Sequence, residues 1–62
     1  MTTAELRLLP MLNTHLTVPE IAAEMYLSPH TIRAQTRSIY LKLSANSRHQ
    51  AVTNARDLHL LE

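Results

Sequence analysis

Arg33 and Arg37 stand four residues apart inside a stretch, Met25 to Arg56, that also carries Lys42, Arg48 and Arg56 and holds no acid. The acids Glu5, Glu20, Glu24, Asp57 and Glu62 all lie outside it. In a chain whose formal net charge is only +1, this asymmetry concentrates a positive field in one region. The commonest partner of such a field is a polyanion, although a charged run is often just a solvated face. A guanidinium is a flat fork of donors that can give two parallel hydrogen bonds to a guanine edge. Other chemistries are poorly served. His15, His30, His49 and His59 include no i, i+4 pair and have no carboxylate at ligand spacing, so no metal site is expected. Serines and histidines are present without an arrangement of nucleophile, base and orienting acid, so no catalytic residue is assigned and an enzyme is not expected. The absence of glycine and cysteine removes phosphate-cradling loops, dinucleotide fingerprints, disulfides and thiolate zinc sites. No cofactor or small-molecule ligand is implied. Tyr26 and Tyr40 are too few for a single-strand stacking platform and are expected in the core with a polar tip.

What must position the arginines is a small helical domain. A 62-residue chain makes one domain at most, and such a chain buries only about 60% of the surface it exposes unfolded. Its 45% hydrophobic and 18% charged residues suit a globule rather than a disordered segment. No apolar run is long enough for a signal peptide or a membrane span, so a cytoplasmic home with no membrane partner is expected. Thr2 with Glu5, Thr17 with Glu20, and Ser47 with Gln50 each read as a capping box, and Ser28 before Pro29 marks a fourth helix start. These signals predict four helices, at about 3–13, 18–26, 29–43 and 48–58. Pro10 should kink the first or break it near Leu9, since an interior proline costs about 3 kcal/mol. Its apolar supply is Leu6, Leu8, Leu9, Met11 and Leu12. Apolar stripes follow at Val18, Ile21, Ala22 and Met25, at Ile32, Thr36, Ile39 and Leu43, and at Ala51, Ala55 and Leu58, with Val52 at an edge.

On the third helix, rotation by 100° per residue puts His30, Ala34, Arg37 and Leu41 opposite the Ile32 stripe, with Arg33 on the shoulder. Two like charges one turn apart repel by a few tenths of a kcal/mol, and no acid stands near to relieve them. Two arginines around a small Ala34 suit the major groove of B-DNA, which admits a helix. The second and third helices also carry a helix-turn-helix pattern. Ala22 sits where only a small side chain fits at the crossing, Leu27 fills the bend, and Ile32 locks the third helix onto the second.

The run E-I-A-A-E-M-Y-L-S-P-H-T-I-R from Glu20, I-Y-L-K-L from Ile39, S-R-H-Q-A-V from Ser47 and A-R-D-L-H-L-L from Ala55 resembles the LuxR/GerE-type helix-turn-helix domain of bacterial transcription regulators. The resemblance covers almost the whole chain. It implies an all-α, tetrahelical domain over residues 1–62, serving as the C-terminal effector part of a longer regulator. It further implies sequence-specific double-stranded DNA binding, with Arg33, Ala34 and Arg37 facing base edges and Ser28, Thr31 and Lys42 near phosphates or flanking the groove. His30, at the start of the third helix, is a further candidate phosphate donor. Arg48 and Ala51 match a segment that ties the fourth helix to the core. His15, Ser44 and His59 stand where the family usually has glycine, so local differences at helix ends are expected.

The outer face of the fourth helix, His49, Val52, Thr53 and Arg56, with Leu60 nearby, is the candidate homodimer interface, since helix-turn-helix dimers place two recognition helices about one DNA turn apart. The alternative is a protein-binding module in which Leu41, Val52 and Leu60 meet a partner helix.

Overall fold

The computed structural model describes all 62 residues and contains four helices and no strand. These are α1 (Thr3–Leu12), α2 (Val18–Met25), α3 (Pro29–Lys42) and α4 (Arg48–Asp57). The expected starts are all present. Thr2 and Thr17 form complete capping boxes with Glu5 and Glu20, and Ser28 caps α3 through the Thr31 N–H. At α4 the box is only half formed. Ser47 accepts from the Gln50 N–H, but the Gln50 amide oxygen reaches one residue further back, to the Asn46 N–H.

The helices fold around α3, which packs most extensively on α1 and α2 and also meets α4. Leu8, Leu9 and Leu12 from α1, Ile21 and Ala22 from α2, Ile32 and Ile39 from α3, Leu43 just beyond it, and Ala51, Val52 and Ala55 from α4 make one buried cluster. Each fully buried leucine or isoleucine contributes about 1.5–3 kcal/mol relative to exposure. Ala22 lies buried in the helix-turn-helix as its small size requires, and Tyr26, Leu27 and Ser28 make the turn.

Pro10 does not break α1 near Leu9; the helix continues through it to Leu12. Pro10 is exposed, and with only two helical residues beyond it the missing N–H deprives a single carbonyl, that of Leu6. Leu9 and Leu12, both buried, anchor the turn on either side. The end of α1 is then held from outside. Arg48 donates from Nε to the Leu12 carbonyl at 2.8 Å, from Nη1 to Leu16 at 2.7 Å, and from Nη2 to Met11 at 3.1 Å and Thr14 at 2.9 Å. A cation is favourable at a helix C-terminus, where the backbone dipole is negative. Asn54 does a neutral version of the same work on α3, donating to the Leu43 carbonyl at 2.8 Å. Through these two side chains α4 secures the ends of both neighbours.

The other three helices end on a left-handed residue: Tyr26 (φ 57°), Ser44 (φ 53°) and His59 (φ 61°). The N–H of the following residue bonds back five positions in each case, Leu27 to Ala22, Ala45 to Tyr40 and Leu60 to Ala55, which is the Schellman closure. Ser44 and His59 thus do the work of two expected glycines. His15 does not; α1 has no left-handed terminus, because its carbonyls are occupied by Arg48 and by the Thr14 hydroxyl on Met11. Several apolar expectations also fail: Leu6, part of the apolar supply of α1, and Leu27, placed in the bend, are 43% and 40% exposed. Tyr26 is 95% exposed because the left-handed turn swings it off the α2 stripe, and Leu58 is 61% exposed because α4 ends before it.

Candidate nucleic-acid interface

α3 carries two opposed faces. Ile32 and Ile39 are fully buried, and on the other side His30, Arg33, Ala34, Arg37 and Leu41 are exposed. Neither Arg33 nor Arg37 makes a hydrogen bond or an ion pair, since the only salt bridge in the molecule is that of Lys42 with Glu5. The packing of the opposite face on α1, α2 and α4 keeps this row outside the core. Ala34 between them leaves the backbone approachable.

At the N-terminal end of the helix the polar groups converge. The Ser28 Oγ accepts from the Thr31 N–H at 3.1 Å and lies 2.9 Å from the Thr31 Oγ1. The two hydroxyls are therefore fixed as a pair. With His30 exposed beside them, they stand at the positive end of the α3 dipole, an environment that favours an anion.

Lys42, expected near phosphates or flanking the groove, is ion-paired within the protein. Its ammonium lies 2.7 Å from the Glu5 carboxylate, whose side chain is almost fully buried while that of Lys42 remains 44% exposed. Glu5 also accepts from the Thr2 N–H and hydroxyl, each at 2.9 Å. Lys42 first, then the Ser38 hydroxyl and the Thr2 backbone, hold its carboxyl well below the usual carboxylate range, against the opposing effect of desolvation. Glu20 is lowered as well, chiefly by the Thr17 N–H. Tyr40 is pushed upward by burial, partly countered by the charge of Arg48.

On α4, His49, Thr53 and Arg56 are exposed, and Arg56 donates to the Glu62 carbonyl at 3.3 Å. Val52, expected on the same face, is in the core cluster at 7% exposure, since it lies beside Ala51 and Ala55 on the inward side. A contact between two copies through this face would use His49, Thr53 and Arg56 without it. The sequence missed the Glu5–Lys42 pair and the Asn54 cap, neither of which has a local signature; the capping box locates the Glu5 carboxylate but not its partner 37 residues away.

Comparison with known proteins agrees with this architecture. The family "GerE: Bacterial regulatory proteins, luxR family" matches residues 1–55. Over 45 residues, 73% of this chain, there is 38% identity to "Probable transcriptional regulatory protein NarL" of Mycobacterium tuberculosis, from both strain CDC 1551 / Oshkosh and strain ATCC 25618 / H37Rv. The chain spans about a fifth of the length of these curated relatives, the match covering 21% of each. No solved structure gives a significant match. With residues 1–55 of the chain matching the family and the four helices in place, the chain belongs to the luxR family of bacterial regulatory proteins.

Proposed function

We propose that this chain is a sequence-specific double-stranded DNA-binding domain acting in transcription regulation, with α3 lying in the major groove. Arg33 and Arg37 read base edges, Ala34 lets the helix approach, Ser28, His30 and Thr31 set register on the phosphates, and Lys42 flanks the groove. In this reading the domain is the effector part of a longer regulator, and His49, Thr53 and Arg56 form the contact between two copies on DNA. The family membership and the regulator named among its relatives support the role.

The observation that carries the reading is the pair of exposed guanidinium groups without any protein partner, on the side of α3 opposite Ile32 and Ile39. A binding module needs such donors unpaired. The protein-module alternative is weakened by the burial of Val52, one of its three proposed contacts.

Selection from a random duplex library, followed by anisotropy titration, tests the proposal. Arg37→Ala should lose about 1–3 kcal/mol on the selected site and relax preference at one base pair. An equal loss on every sequence contradicts base readout. The logarithm of the binding constant should also fall with log salt by roughly 0.9 per phosphate contact, and a salt-independent affinity overturns the model.

A further inference from the structure

Leu41 is 77% exposed, and it lies on the row that also holds His30, Ala34 and Arg37. At 100° per residue these four side chains fall within about 60° of one another, centred opposite Ile32 and Ile39, with Leu41 in the middle of the sector. A leucine so placed is costly to solubility and adds nothing to the core. The other large exposed apolar residues of the helical body are elsewhere: Tyr26 and Leu27 in the turn before α3, Leu6 on α1, and Leu58 and Leu60 beyond α4.

We infer that Leu41 is a specificity-determining residue that packs on the 5-methyl group of a thymine in the major groove. The inference rests on the groove reading of α3 and deepens it. Ala34 and Leu41 are seven residues apart, about 10 Å along the helix axis, which matches roughly three base-pair steps at about 3.4 Å each. Arg37 lies between them. The row therefore reads as close-approach point, guanine donor and apolar tip, and the one apolar group a base edge offers in that groove is the thymine methyl. A single leucine one turn beyond the unpaired Arg37 is a poor match for a protein partner, which would need a contiguous apolar patch. It is large enough for one methyl group.

The test uses the 62-residue chain and its selected duplex, with each thymine replaced in turn by deoxyuridine, which deletes only the methyl. Wild-type protein should lose about fourfold in affinity at one position, the worth of one buried methyl group. Leu41→Ala should bind the parent duplex more weakly by a similar factor and be indifferent to that replacement, while Leu41→Met keeps the sensitivity. Because Leu41 is exposed, circular dichroism should be unchanged in both variants. The proposal is overturned if no thymine replacement affects wild type, or if Leu41→Ala retains the full sensitivity. It is equally overturned if Leu41→Ala leaves duplex preference intact and instead lowers the mass of the free protein in sedimentation, which assigns the residue to a protein contact. Failure of the underlying reading looks different: no site is selected, and Arg37→Ala weakens all duplexes alike.

Discussion

Arg37 and Arg48 belong to the same acid-free stretch, yet one makes no hydrogen bond or ion pair within the protein and the other donates to four carbonyls. The difference lies in what each side chain can reach. Arg48, the first residue of α4, projects toward the end of α1, where the last carbonyls have no intrahelical donors and no left-handed residue turns the chain back upon them. Arg37 projects from the side of α3 away from every other helix, where all main-chain groups are already paired along the helix. A cation's role in this domain is thus set by the nearest unsatisfied acceptors. Where the fold supplies them, as for Arg48, the cation is structural; where it does not, as for Arg37, the cation stays unpaired and, in the proposed reading, meets an outside anion.

The largest expected effect tests the structural half. Arg48→Ala leaves the end of α1 with several unpaired carbonyls and should destabilise the domain by about 2–4 kcal/mol, given that hydrogen bonds to charged groups are worth roughly 1.5–3 kcal/mol and water recovers part of the loss. In a domain this small the thermal midpoint should fall by roughly 10 °C or more. Arg48→Lys should recover little, because one ammonium cannot reproduce a fork that spans Met11 to Leu16. A midpoint unchanged by Arg48→Ala means that the carbonyls are as well served by water, and the comparison fails on that side.

The opposite signature is expected on α3. Arg33→Ala and Arg37→Ala should leave unfolding free energy within about 0.5 kcal/mol of the parent, with a gain of a few tenths from relief of their mutual repulsion, while removing duplex affinity. Chemical denaturation and duplex titration on the same samples give the two axes. A variant that moves along both erases the distinction between structural and recognition cations.

Glu5 and Lys42 allow one class to be converted into the other. Glu5→Gln keeps a side chain able to reach back to the Thr2 N–H, as capping boxes permit, but gives up the charge that holds Lys42. The freed ammonium, displayed at the end of α3, should then raise non-specific duplex affinity and steepen the salt dependence by up to about 0.9, the value of one phosphate contact. The same variant has a pH consequence. Because the Glu5 carboxyl in the folded protein lies below its ordinary value of 4.5, the folded state binds fewer protons than the unfolded one in that range. Its stabilisation is fully present above 4.5 and is lost as pH falls below it. Urea unfolding from pH 6 down to pH 3 should show a shallower decline for Glu5→Gln, with the remaining slope due in part to Glu20, whose carboxyl is lowered by Thr17. An unaltered pH profile contradicts the pairing.

The sequence revealed the local and the periodic, and these decided most of the fold. Ile21, Ala22, Ile32, Ile39 and Leu43 were identifiable because a 3.6-residue period puts them on one side, and the N-terminal caps because their partners lie three residues away. The arginine face followed by rotation. Errors fell where a helix end decides the outcome. Leu58 continues the Ala51 and Ala55 stripe only if α4 extends past Asp57, and Tyr26 joins the core only if the turn avoids the left-handed region. Val52 was misplaced because α4 is short and buries a wider sector than its stripe of small residues suggested. The partner of Lys42 was not legible, because no pattern connects it with a glutamate in the first turn of α1.

The smallest effect expected separates stability from recognition at the far end of α3. Ser44 occupies a left-handed conformation at φ 53°, where its Cβ crowds the backbone, and it closes the Schellman motif through which the Ala45 N–H reaches the Tyr40 carbonyl at 2.8 Å. Ser44→Gly removes that crowding at the cost of greater freedom in the unfolded chain, for a net gain of about 1 kcal/mol or less. Ser44 is exposed and lies beyond the last residue of the face proposed to enter the groove, so duplex affinity and its salt slope should not change. Ser44→Ala, which relieves none of the crowding, should gain nothing. If Ser44→Gly instead shifts affinity together with stability, the end of α3 is adjusted on DNA rather than set in advance by its cap, and the unpaired arginines owe their aim to the complex and not to the fold.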